Sequence, residues 1–217
     1  IHITGYARTD SLVTNQYDKQ NILQGFGVDR EEYHAVVMLA PTWSHTHYGQ
    51  TVNQLGFTEG EFIKKFAYAM NERGLLVLYR SHLNAAINDS DILENVLVLP
   101  LSVYPDTETL LACSDVLVSD WSSIVFDYML LERPTIFMHR DNPFPNGFTY
   151  GPEYRFGPIV YDFNSLIYEI ENALDRKTYL AKWGDKSERV KNEVYNIYAD
   201  GKSAARSVEK IYDLITD

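Results

Sequence analysis

Six short apolar runs, near residues 35–40, 75–79, 96–99, 116–118, 135–138 and 159–161, alternate along the chain with stretches of helical periodicity. That alternation predicts parallel strands joined by crossover helices, since a tight turn cannot return a chain to the same end of a sheet. The expected fold is α/β, a doubly wound parallel sheet with helices on both faces. Any ligand then belongs at the carboxyl ends of the strands. Helical signals fill the gaps. Ser11 onward reads as a helix, and Gly60 to Arg73 is amphipathic, with Phe62, Phe66, Ala69 and Met70 on its buried side and Gly74 at the stop. The turn Tyr104-Pro105-Asp106 opens Thr107 to Cys113, Asn164 caps Leu166 to Leu174, and Tyr179 to Tyr198 and a last helix to Ile215 follow.

Within that frame, residues 113–138 carry the densest chemistry. Val116 to Val118 feeds the polar turn Ser119-Asp120-Trp121-Ser122-Ser123, Ile124 to Leu131 has helical apolar spacing, and Pro134 precedes the strand Thr135 to Met138. Such a turn at a helix start supplies unpaired N–H groups, two hydroxyls and the positive end of a helix, which suits a phosphate. The same residues are ordinary helix caps, and most such turns bind nothing, so local chemistry leaves both readings open. Arg80-Ser81-His82 closes the second apolar run. An imidazole there can serve as acid, base or donor to a diphosphate, and Arg80 beside it would hold that charge; the alternative is a histidine capping the next turn. His45 and His47 have no carboxylate or cysteine partner near them, so no metal site is predicted. Pro143, Pro145, Gly147, Gly151 and Pro152 break the stretch from Arg140 to Tyr154 into a long loop of the kind that binds or moves.

Composition narrows the function classes. At 217 residues and 45% hydrophobic content the chain suits one globular domain, and no apolar run approaches the roughly 20 residues of a membrane span. Lys and Arg number 19 against 30 Asp and Glu, a formal charge of −11, which repels nucleic acid and argues against a nucleic-acid partner. A phosphate site must therefore be local. Cys113 is the single cysteine, which precludes an internal disulfide and suits a reducing compartment. The start at Ile1, with no leader pattern, reads as a segment of a longer protein.

The string from Ser119 to Pro134, S-D-W-S-S-I-V-F-D-Y-x-x-L-x-R-P, resembles the T-D-Y-S-S-x-x-F-D-Y-x-x-L-x-R-P signature of the CDP-glycerol glycerophosphotransferases that polymerise teichoic acid. Gly5, Arg8 and Asp10 match that family's T-G-x-P-R-x-D, with Ala7 in place of the proline. Ala40, Pro41, Thr42 and Trp43 match A-P-T-W/F-R, Ser44 standing where the arginine would be. Arg80-Ser81-His82 resembles R-M-H, Gly157-Pro158-Ile159 resembles G-P-I/V, and Asp200, Gly201, Ser203 and Arg206 fit D-G-x-A/S-S-x-R. The resemblance spans Gly5 to Val208. It implies a Rossmann-like C-terminal lobe of a glycosyltransferase-B type fold, residues 1–217 forming one donor-nucleotide-binding domain of a two-lobed protein.

The reaction so implied is attack by the terminal hydroxyl of a lipid-linked polymer on the β-phosphorus of CDP-glycerol, releasing CMP, with no cofactor. It would take place at the inner, cytoplasmic face of the bacterial membrane, which regions outside this chain would contact peripherally. His82 is the expected catalytic residue. Gly5, Arg8, Thr42, Trp43, Arg80, Asp120, Ser122, Ser123, Asp200 and Arg206 are the expected donor-binding set. A general base would come from the other lobe, so the isolated domain should be inactive. Two other readings share the fold: a nucleotide-sugar glycosyltransferase, and a non-catalytic nucleotide-binding scaffold.

Overall fold

The structure, a computed structural model, describes residues 1–42, 55–80, 93–141 and 150–216. Trp43, Ser44, His45, His47, Ser81, His82 and the residues numbered 142–149 of the predicted long loop lie outside them. Among the described residues six strands, β1 (Ala35–Ala40), β2 (Leu75–Tyr79), β3 (Val96–Val98), β4 (Val116–Ser119), β5 (Thr135–Met138) and β6 (Ile159–Val160), form one sheet in the order β3-β2-β1-β4-β5-β6. All five pairings are parallel. This is the doubly wound, Rossmann-like order, whose direction of growth reverses between β1 and β4.

Among the described residues eight α-helices cover the sheet: α1 (Asp10–Val13), α2 (Lys19–Gly25), α3 (Glu59–Asn71), α4 (Thr107–Cys113), α5 (Ile124–Met129), α6 (Phe163–Leu174), α7 (Arg176–Tyr195) and α8 (Ser203–Thr216). Alternate strand residues serve opposite faces. Val37, Leu39, Leu75, Val77, Tyr79, Val116 and Val118 pack with Phe62, Phe66 and Met70 of α3 and Leu166 and Ile170 of α6. Val36, Met38, Leu76, Leu78, Leu117 and Phe137 pack with residues of α1, α2, α4, α5 and α7. Each such apolar side chain, taken fully out of water, contributes roughly 1.5–3 kcal/mol before chain entropy is counted.

Several helix boundaries differ from expectation, each for a local reason. The helix predicted from Ser11 is two short helices, because Asn15 turns left-handed at φ 49° and Asp18 caps the second through the N–H groups of Gln20 and Asn21. α5 stops at Met129, two residues early, and Glu132 takes φ 52° before Pro134. Asp162, not Asn164, opens α6, its carboxylate and the Ser165 hydroxyl closing a reciprocal capping box. α7 begins at Arg176 under an Asp175 cap and ends at Tyr195, where Asn196 turns left-handed. Among the described residues no helix is long and apolar enough to cross a membrane.

Candidate functional site at the sheet switch point

β1 and β4 end in register, Ala40 beside Ser119, and the Ser119 hydroxyl donates to the Ala40 carbonyl at 2.7 Å. Thr42 therefore leaves β1 alongside Asp120-Trp121 as they leave β4. Asp120 is 2% exposed and fully engaged. Its Oδ1 accepts from the Thr42 N–H at 2.6 Å and the Trp121 N–H at 2.7 Å, and its Oδ2 faces the Arg140 guanidinium at 3.2 Å. Arg140 also donates to the Thr42 carbonyl at 2.9 Å, while its own carbonyl accepts from the Trp121 indole N–H at 2.8 Å. One buried carboxylate thus ties together three chain segments at the crevice. Its place is that of a clamp between the turns that leave β1 and β4.

The Ser-Ser turn is built differently. Ser123 is the N-cap of α5, yet its backbone is already helical (φ −65°, ψ −15°) and its side chain caps nothing. Neither hydroxyl of Ser122 and Ser123, nor the N–H of either residue or of Ile124, meets an acceptor among the described residues. Thr42 Oγ1 is buried and likewise without a partner. Ser122 is half-buried and Ser123 exposed. The turns that leave β1 and β4 on either side of the switch point therefore carry unmatched donors, which is what a group with several negative oxygens requires.

Of the other expected donor-binding residues, Trp43 lies outside the described residues, and Arg80, Arg8, Gly5, Asp200 and Arg206 have partners within the protein. Arg80 follows β2, and its guanidinium donates to the carbonyls of Leu99 and Tyr104 at 3.0 and 2.5 Å and to the Thr107 hydroxyl at 2.8 Å. Burial lowers its pKa, with Glu108 and Asp106 opposing. It holds the connection from β3 to α4 against the end of β2. Arg8 forms a bidentate pair with Asp127 on α5 at 3.0–3.3 Å and lies 3.6 Å from Glu108 on α4. Asp127 also accepts from the Tyr195 hydroxyl at 3.1 Å, and burial raises its pKa while Arg8 opposes.

Gly5, Asp200 and Arg206 join the two ends of the chain. Arg206 donates to both oxygens of Asp200 at 2.7 and 2.9 Å and to the Thr4 carbonyl at 3.0 Å, and Asp10 caps α8 through the N–H groups of Ser203 and Ala204. Gly5, at φ +89°, lies so close to Ser203 that a Cβ would overlap its hydroxyl. Gly5→Ala is accordingly expected to cost about 1–3 kcal/mol, combining left-handed strain with that overlap. A thermal melt reads this as a fall of roughly 2–4 °C per kcal/mol in a domain of this size. An unchanged melt would remove the packing role.

A cavity of about 390 Å³ opens at the opposite, amino end of the sheet beside Lys19, His34, Asp115 and Arg133. There Lys19 and Asp115 neutralise each other at 2.5 Å and Asp115 also accepts from the Val36 N–H at 2.8 Å, so these groups are already matched. No group of three or more metal-ligating side chains occurs among the described residues. Arg140, Arg155, Glu108 and Asp127 were not singled out from sequence. Asp127 was within reach, as the acid of the F-D-Y string.

A family model described as CDP-Glycerol:Poly(glycerophosphate) glycerophosphotransferase matches residues 1–213. A teichoic acid ribitol-phosphate primase of Bacillus spizizenii is 32% identical over 127 residues, 57% of this chain and 31% of that protein. A teichoic acid glycerol-phosphate transferase of Staphylococcus aureus is 28% identical over 179 residues, 76% of this chain and 43% of its own length. Among solved structures, a variant of the wall teichoic acid polymerase TagF soaked with CDPG superposes with a TM-score of 0.77 at 25% identity. That superposition covers 100% of this chain and 52% of the other. The chain thus spans about half, or less, of the length of the proteins it matches.

Proposed function

The chain belongs to the CDP-glycerol:poly(glycerophosphate) glycerophosphotransferase family, and on that premise we propose that it is the donor-binding lobe of an enzyme that transfers glycerol phosphate from CDP-glycerol to a growing teichoic-acid-like polymer. The acceptor in this reading is lipid-linked and lies at the inner face of the cell membrane, contacted through regions outside this chain. One observation carries the proposal: the unmatched N–H and hydroxyl donors of Ser122, Ser123, Ile124 and Thr42 gather at the topological switch point. Open α/β sheets bind nucleotides in that crevice.

The chemistry asks little else of this lobe. Phosphoryl transfer depends mainly on positioning and on stabilising charge at the moving group. The turn would hold the diphosphate, and the Asp120–Arg140 clamp would keep β1 and β4 at the right separation. His82, beyond the end of β2, would face the charge that develops on the donor, Trp43 would border the nucleotide, and a general base would come from the other lobe. Arg8, Arg80, Asp200, Arg206 and Gly5 would act by holding the segments around the crevice.

The test is calorimetric titration of this chain with CDP-glycerol and, separately, with UDP-glucose. Saturable binding of CDP-glycerol in preference to UDP-glucose is the expected result. Preference for UDP-glucose would move the lobe to the nucleotide-sugar transferases, and absence of binding to either would leave a scaffold.

A further inference from the structure

Arg155 stands between the 3₁₀ turn Pro152–Tyr154 and Phe156, on the connection that leads into β6. Its guanidinium lies 4.3 Å from the centre of the Trp121 ring and 4.9 Å from that of Phe137. Phe137 belongs to β5, and Trp121 immediately precedes Ser122 at the end of β4. The cation therefore lies over two aromatic rings on the carboxyl side of the sheet, beside the turn that bears Ser122 and Ser123. Stacking of this kind fixes a guanidinium while leaving its in-plane N–H groups pointing outward.

Those N–H groups meet no carbonyl or carboxylate among the described residues. Asp120, whose charge acts on Arg155, makes its hydrogen bonds to Arg140 and to the N–H groups of Thr42 and Trp121. Burial brings the Arg155 pKa down to about 10, with Asp120 opposing, so the group remains a cation at neutral pH. A half-buried, oriented cation with unsatisfied donors is costly in a folded protein unless something outside the chain completes it.

We propose that Arg155 is a phosphate-binding residue of this crevice, its planar fork taking non-bridging oxygens of a nucleoside diphosphate whose other oxygens face the Ser122-Ser123 turn. This rests on the donor-binding reading above for the identity of the ligand, though not for its charge. Arg155 acts here on affinity for the phosphates and leaves recognition of the base to other residues.

The experiment titrates the parent chain, Arg155→Gln and Arg155→Lys with CDP-glycerol, with cytidine and with inorganic pyrophosphate, beside a thermal melt of each. Losing one or two charge-assisted hydrogen bonds should weaken CDP-glycerol and pyrophosphate by about 10- to 100-fold in Arg155→Gln. Cytidine affinity should stay unchanged. Arg155→Lys keeps a cation over Trp121 and the fold, but loses the fork, and should fall between the two. Equal affinity of parent and both folded variants for CDP-glycerol overturns the role of Arg155 and leaves the donor site standing. Loss of pyrophosphate binding in the variants, with a parent that ignores CDP-glycerol, keeps Arg155 as an anion site and removes the donor reading. A parent that binds neither anion removes both.

Discussion

Gly157→Ala is expected to lower the melting temperature by roughly 10 °C or more. The added Cβ would overlap the Thr135 carbonyl oxygen and approach the Tyr179 hydroxyl to 2.5 Å. Neither neighbour can withdraw. Thr135 opens β5, and its N–H and carbonyl both bond to the Tyr179 hydroxyl, at 3.1 and 2.8 Å. The next residue, Pro158, accepts from the Phe137 N–H at 2.8 Å and begins the pairing of β5 with β6. Relieving the clash means separating β6 from β5 or expelling Tyr179 from its socket. Overlap with the backbone inside a packed sheet belongs to the upper tail of single substitutions, about 4 kcal/mol. At roughly 2–4 °C per kcal/mol that gives the stated shift. Chemical denaturation measured against the parent checks it, and a midpoint within experimental scatter of the parent would show that the connection into β6 is looser than this structure.

The same glycine shows where sequence reading succeeds and where it stops. Gly157-Pro158-Ile159 could be recognised as a strand start from its pattern, because apolar runs bounded by Gly and Pro carry a local signal. Why glycine is required could not, since the reason is Tyr179, twenty-two positions along the chain and on a different element. Strands were legible throughout because period and β-branching are local. Helix ends were less so. Asp162 and Asn164 are both good caps, and the choice fell to Asp162 because Ser165 could complete the box. Nothing in the pattern marked Glu132 or Asn196 as left-handed.

The turn with the unmatched donors was legible for a different reason. Ser122 and Ser123 sit on one short turn, so their chemistry is contiguous in sequence. The role of Asp120 was not, because Thr42 and Arg140 reach it from 78 positions before and 20 after. Arg155 was invisible from sequence, being a cation whose only described partners are aromatic faces on two separate strand ends. Arg8 and Arg206 were named through family resemblance and Arg80 through its place at a strand end, and none of these signals shows the partners the structure gives them: Asp127 for Arg8, the Leu99 and Tyr104 carbonyls for Arg80, and Asp200 for Arg206.

The central claim is that the turn after β4 holds the donor's phosphates, and the double variant Ser122→Ala, Ser123→Ala addresses it most directly. Neither hydroxyl has a partner within the described residues, so the melt should match the parent's. Each charge-assisted hydrogen bond lost to the diphosphate is worth about 1.5–3 kcal/mol, or at least tenfold in affinity. Calorimetric titration with CDP-glycerol should therefore show binding weakened by about 100-fold or more, against an unaltered affinity for cytidine. A folded double variant that binds CDP-glycerol as tightly as the parent would contradict the account and place the phosphate site away from the β1–β4 crevice.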